Sequence, residues 1–354
     1  MANRELFSII VQNIFVFSAC RFVHSVCQFV GILFYHTAKG STFALRNDKK
    51  DTDMKNIIIA VVLVSAMTLT ASAQHKTEVK SEFIGQSNML DGDGNKVGEG
   101  WFEKLTVSYT VPMKVHLDSL MCPIMWLSNI QGNYAWLNNK NGAEQFAPDR
   151  IMSVSYSVTH FRPLRGKWSI AASLGLGLYG KPEHLSGHSL MASGLLSFYY
   201  QFNPRLSLSF GGALTTSYGS PLFIPLMGID YKNQRGLQVF MGMTNGYEIY
   251  AQQQVTPWLK VRLTGMRADG LPGDVRTDVG HRVYSSTAMK SSLAPIFRLG
   301  KRGELNVAAE LVYSRNCNIT EYSYKAFWKN MTTNFDKKHF RPTWGVSAIY
   351  THNF

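Results

Sequence analysis

From Leu105 to the last residue the chain keeps one rhythm, and few folds accept it for so long: apolar residues alternate with small polar ones. Leu105, Val107, Tyr109 and Val111 alternate with Thr106, Ser108 and Thr110. Met152, Val154, Tyr156 and Val158 alternate with Ser153, Ser155, Ser157 and Thr159. Trp168, Ile170, Ala172, Leu174, Leu176 and Leu178 alternate with Ser169, Ala171, Ser173, Gly175 and Gly177. A period of two puts each set on its own face of a strand. The layout returns near 188–202, 205–216, 222–231, 236–244, 247–255, 258–267, 283–299, 304–314 and 340–354, about twelve segments in all. Each is near the ~9–11 residues that a tilted strand needs to cross a bilayer.

A soluble β-sandwich would alternate in the same way, so the connections decide. Those at 163–166, 203–204, 232–235, 256–257 and 300–303 are tight and carry Pro163, Gly166, Asn203, Pro204, Pro257 and Gly300, which are turn formers. Those between them are longer, at 116–149, 181–187, 217–221, 268–282 and 315–339, with one short connection near Asn245 and Gly246. Alternation of short and long ends is the pattern of a membrane barrel, with turns on one side and loops on the other. The expected fold is therefore all-β: a single antiparallel transmembrane β-barrel of about twelve strands. Its apolar faces would meet lipid, with Trp168, Phe198, Tyr200, Phe210, Trp344 and Tyr350 at the interfaces, where amphipathic rings are favoured.

Composition agrees. Charged residues are 17% and aromatics 12%, against ~25% charged in soluble proteins. No stretch after position 74 has the ~18 apolar residues of a membrane helix, and lipid accepts only helices and closed sheets. Net charge is +13; residues 1–73 hold 7 basic and 4 acidic side chains, which leaves 29 against 19, or +10, for the remainder. The excess is scattered and forms no basic face of the kind that nucleic acid requires, so no nucleic-acid partner is expected.

The front of the chain reads as export machinery. Met54-Lys55-Asn56, the apolar run Ile57 to Thr70 and Ala71-Ser72-Ala73 have the layout of a signal peptide spanning 54–73. Gln74, and not Cys, follows Ala73, so no lipid anchor is expected. Residues 1–53 contain a mostly apolar stretch interrupted by Arg21 and His24. They read as a non-native N-terminal extension, with an inner-membrane anchor as the alternative. Residues 74–100, rich in Gly, Asp and Asn, read as a periplasmic lead-in, and 101–354 as the barrel. Asp91-Gly92-Asp93-Gly94-Asn95 opens like a calcium loop, but Lys96 stands where the sixth-position Gly belongs and Phe102 where Glu belongs. It reads as a turn.

By parity the lumen receives Ser, Gly and Thr first and larger polar groups later: Gln238, Gln252, Gln254, Lys260, Arg262, Lys290, Arg298 and Glu310, with Tyr199 and Tyr250. Placed there, these charges avoid the ~2–4 kcal/mol cost of Lys or Arg in mid-bilayer. Two readings follow. In one, Glu310 neutralises a Lys or Arg and the rest is interior packing. In the other, the face lines a narrow basic channel that favours anions. Cys122 and Cys317 fall in the first and last expected outer loops, which would be neighbours. They are either a disulfide or two free thiols. His184 and Ser186, with His160 and His281 near strand ends, are the material for a rim-site hydrolase, but no third group is evident to orient a base. No metal-ligand spacing or phosphate loop is present, so no metal or cofactor is expected.

The final strand ties these readings together. Trp344, Val346, Ala348 and Tyr350 share one face, and the sequence ends on Phe354. This stretch resembles the closing strand of a Gram-negative outer-membrane barrel, whose terminal aromatic is read by the barrel-assembly machinery; His352 departs from the usual apolar residue there. The whole layout resembles the outer-membrane β-barrel families of unknown function common in Bacteroidota. The resemblance implies an outer-membrane location, with lipid and the assembly machinery as partners, and implies no substrate. The expected role is non-enzymatic: passing or binding small polar or anionic solutes. A rim-site lipid hydrolase and a secreted soluble β-protein are the alternatives.

Overall fold

A computed structural model describes residues 75–117, 123–217, 219–243, 246–325 and 338–354; the expected extension and signal peptide lie outside them. The strands are β1 (Lys76–Leu90), β2 (Lys96–Leu117), β3 (Pro123–Lys140), β4 (Arg150–Pro163), β5 (Trp168–Gly180), β6 (Leu190–Asn203), β7 (Leu206–Thr215), β8 (Leu222–Lys232), β9 (Leu237–Met243), β10 (Tyr247–Thr256), β11 (Leu259–Thr277), β12 (Gly280–Leu299), β13 (Gly303–Thr320), β14 (His339–Phe340) and β15 (Thr343–Asn353). From β1 to β13 each strand pairs antiparallel with the next, β13 pairs with β15, and β15 closes on β1. The two-residue β14 meets the same neighbours, β1 and β13, and extends the line of β15. The ring thus has fourteen crossings, and its strand order closes on itself.

This corrects the expected count of about twelve. β1 and the start of β2 occupy the supposed lead-in, and β3 occupies most of the supposed loop 116–149. Both were hidden because their inner faces are strongly polar. Lys76, Glu78, Lys80 and Glu82 alternate with Thr77, Val79, Ser81 and Phe83 on β1, and β3 turns Asn129, Gln131 and Asn133 inward. The Asp91–Asn95 segment is a turn, as expected: the Asp91 carboxylate accepts from the backbone N–H of Asp93 (3.0 Å) and Asn95 (2.8 Å).

The wall is one layer thick. Leu174 is 75% exposed, Leu176 59% and Val346 43% on its outer face, where a sandwich would have buried them. Trp126 and Trp136 both point outward from β3, ten residues apart. At ~3.4 Å per residue and a tilt of ~40° that is ~25 Å along the barrel axis, the height of a lipid-facing apolar band.

The two halves of the ring differ. At the end holding Lys76 and Asn353, strands join through turns such as 204–205 and 257–258. At the other end the supposed loop 268–282 is instead a hairpin: β11 and β12 stay paired up to Thr277 and Gly280. The segment carries Gly270, Pro272 and Gly273, residues common in turns. Beyond Arg267, however, β11 has no β10 partner, and a Pro on a free edge forfeits no ladder hydrogen bond. That edge crosses to β5, where Asp274 pairs with Gly180. Gly273 permits the approach, since a Cβ there would lie 2.7 Å from Ile151 Cδ1. The loop half is therefore narrowed, and its interior is packed: Ile84, Phe102, Leu137, Ile151, Leu271, Val275, Tyr284 and Phe340 form a buried core.

Candidate functional site

Beneath that core lies a layer of charge. Lys290 of β12, 2% exposed, reaches Glu82 of β1 (2.5 Å), Asp269 of β11 (2.7 Å) and Glu310 of β13 (3.4 Å). Glu82 also meets Lys80 (2.8 Å) and Lys104 (3.6 Å), Asp269 meets Arg267 (2.8 Å), and Ser347 of β15 donates to Glu310 (2.6 Å). The strands place these groups together because alternate residues of adjacent strands all face inward. Lys80, Glu82, Lys290 and Glu310 are dehydrated, so the layer holds only while each of them keeps a partner.

On the turn side of this layer is a polar chamber of about 490 Å³. Lys76, Lys80, Glu248, Arg262, Arg267, Glu304 and Asn306 line it, with Ile296 and Ile349 supplying apolar patches. Most of its charges are paired within the wall: Lys76 with Glu78 (3.0 Å) and Lys260 with Glu304 (2.9 Å). Arg262 is different. Its Nε and Nη2 donate to Gln252 Oε1 (3.0 and 2.9 Å), and its guanidinium lies over the Tyr250 ring, 4.5 Å from the centroid. No carboxylate pairs with it among the described residues. Gln252 and Tyr250 hold it flat, which is the orientation a planar anion meets best.

A second polar node sits at the loop end. Asp274, 1% exposed, accepts from Ser186 (3.3 Å), Ser189 (3.0 Å) and Tyr322 (2.8 Å), and His281 Nδ1 lies 3.1 Å away. His188 stacks on His281 at 4.4 Å. The node ties the β11–β12 hairpin to loop 181–189. Asp274 is the third group that sequence reading did not find. Yet Ser186 Oγ bonds the carboxylate, whereas a nucleophile must bond the imidazole; His184 has no part in the node.

The sequence-expected lumen residues are thus divided. Arg262 and Gln252 act together in the chamber, Lys260 lies beside them, and Lys290 and Glu310 belong to the charged layer, where Glu310 does neutralise a Lys. Gln254 and Arg298 are exposed near the turns and join neither group. Lys80, Glu82 and Asp269 were missed because two lay in the supposed lead-in and one in the supposed loop. Their signal was present as charges spaced by two inside alternating stretches.

Cys317 is not in an outer loop. It is a buried free thiol on β13, 3.4 Å from Tyr284 Oη. Cys122 lies outside the described residues, but the strand ends that flank it, Leu117 and Pro123, are at the turn end, and Cys317 is near the other. The expectation of neighbouring loops fails because β3 intervenes. Tyr350 faces outward, and the Phe354 ring packs edge-on against His352.

In three dimensions the chain is similar to the COG4313 outer membrane channel from Pseudomonas putida F1, at 7% identity over 80% of this chain and 96% of that one, with a TM-score of 0.40. It is also similar to the Pseudomonas putida toluene transporter TodX (9%, 83% and 93%, 0.35) and the Acinetobacter baumannii outer membrane protein Omp33 (14%, 80% and 98%, 0.35). Likenesses this distant carry no argument about solute or activity. No curated protein matches the chain. Its residues 69–350 match one protein family, and the chain accordingly belongs to the family described as Domain of unknown function (DUF6268).

Proposed function

We propose that this chain is an outer-membrane β-barrel that binds small anionic solutes in its turn-side chamber and is not a freely open pore. Export through a signal peptide at 54–73, lipid around the wall, and recognition of Tyr350 and Phe354 by the assembly machinery are parts of the proposal, as is kinship with the barrels common in Bacteroidota. A closed ring with an exposed apolar exterior supports the location, because a soluble sheet would hide that face. The observation that carries the solute reading is Arg262, a positioned guanidinium that faces the chamber without a carboxylate partner among the described residues. The packed core and the charged layer favour binding over free passage. The role in this reading is non-enzymatic, which is supported at the rim, among the described residues, by Ser186 and Ser189 bonding the Asp274 carboxylate that His281 also meets.

Titration calorimetry of the detergent-folded protein with gluconate tests this. Binding that Arg262→Glu abolishes, together with little steady current in planar bilayers, is expected. Equal binding by wild type and variant, or a large steady current indifferent to Lys260→Glu and Arg262→Glu, would overturn it.

A further inference from the structure

Among the described residues, Arg315 has more buried unpartnered donor atoms than any other side chain. It stands on β13 at the boundary between the charged layer and the apolar core, and is 3% exposed. Its Nε, Nη1 and Nη2 are all buried without a hydrogen-bond partner. The guanidinium lies over the Phe340 ring at 3.7 Å and near Phe102 at 5.9 Å. Ring faces offset part of the charge, but they do not replace hydrogen bonds. A guanidinium does not escape by losing its proton. An isolated buried cation is among the costliest things a fold can contain.

The neighbours do not supply the missing charge. Lys80, Lys104, Arg267, Lys290 and Arg315 face three carboxylates, Glu82, Asp269 and Glu310, among the described residues. Glu248 stands opposite Arg267 in the β10–β11 register, and including it still leaves one positive charge in excess. Each of those three carboxylates is already engaged by lysine or arginine, and none reaches Arg315. Beside the guanidinium is a cavity of about 20 Å³, lined by Arg315, Lys104, Phe102, Ser286, Glu82 and Asp269. That is room for one water-sized occupant.

We infer that this cavity holds a single small monovalent anion of the halide class, bound by Arg315 with Ser286 as a hydroxyl donor and enclosed as the β11–β12 hairpin closes against β1, β2 and β13. The anion balances the layer and satisfies donors that no side chain reaches. A neutral water would satisfy a donor and leave the charge. The site is separate from the chamber at Arg262 and does not depend on what that chamber takes.

The test uses the full folded protein in detergent. Its thermal unfolding midpoint is measured in chloride, bromide and methanesulfonate at equal ionic strength. Binding to the folded state alone raises the midpoint as ligand rises. An upward shift specific to the halides is expected, lost in Arg315→Met and retained in Arg262→Glu. Retention in Cys317→Ser would exclude a neighbouring thiolate as the balancing charge. Should Arg315→Met fail to fold, crystals grown in bromide decide the matter, because the anomalous signal of a bound ion must appear beside the guanidinium. No halide-selective shift in wild type, or no anomalous peak at Arg315, overturns the inference.

Discussion

Lys290→Met should be among the most damaging single changes in the barrel, and the reason can be traced partner by partner. Removing the ammonium takes a cation from three carboxylates at once. Glu82 retains Lys80 and Lys104, and Asp269 retains Arg267. Glu310, 9% exposed, retains among the described residues only the Ser347 hydroxyl, at 2.6 Å. The substitution therefore leaves one buried carboxylate without a cation. Breaking a buried pair in this way costs ~3–5 kcal/mol. Glu310→Gln in the same background removes that charge and should recover ~2–3 kcal/mol, a coupling of the size that touching residues show. Lys80→Met should cost clearly less, since each of its partners keeps another cation. Urea unfolding of the protein folded into vesicles, followed by tryptophan fluorescence, measures all four forms. A loss under ~1 kcal/mol for Lys290→Met, or a double variant no more stable than the single, would refute the account of the layer as a closed set of pairs.

Leu174→Arg puts a charge on the most exposed part of the outer wall and should cost ~2–4 kcal/mol in vesicles if that face meets lipid; a neutral result would remove the support for a membrane belt. Burial first, then the hydrogen bond to Asp274 and its negative charge, push the Tyr322 phenol well above its ordinary value. A group raised in the folded state stabilises fully below its unfolded pKa of ~10 and loses that contribution as pH climbs past it. The unfolding midpoint should therefore fall above pH ~10, and Tyr322→Phe should blunt the fall. Alkylation followed by mass measurement should label Cys317 only after unfolding, because the thiol is 1% exposed; rapid labelling of the folded protein at that site would contradict its place in the core.

Much of the wall was legible in the chain. Where one face of a strand is apolar and the other small, as in Trp168–Gly180, alternation alone identifies the strand and which way each residue points. Parity alone puts Leu174 outside and Arg262 inside. It failed where the inner face was charged or amide-rich, as in β1 and β3, and where turn-forming residues sit on an unpaired edge, as with Pro272 in β11. In each case the local signal is that of a loop, and only pairing with a neighbour makes it a strand.

The sequence by itself determined that the chain forms a strand-built wall with two unlike faces, because side-chain direction along a strand depends only on the parity of position. What fills the interior was decided by tertiary structure alone. Glu82 and Lys290 are 208 residues apart, and no local pattern records that ring closure brings β1 beside β15, and β11, β12 and β13 within reach of both. Whether an inward charge lines an open passage, pairs in a dehydrated layer or waits for a counter-ion depends on which strands become neighbours and at what register, and that is a property of the closed ring.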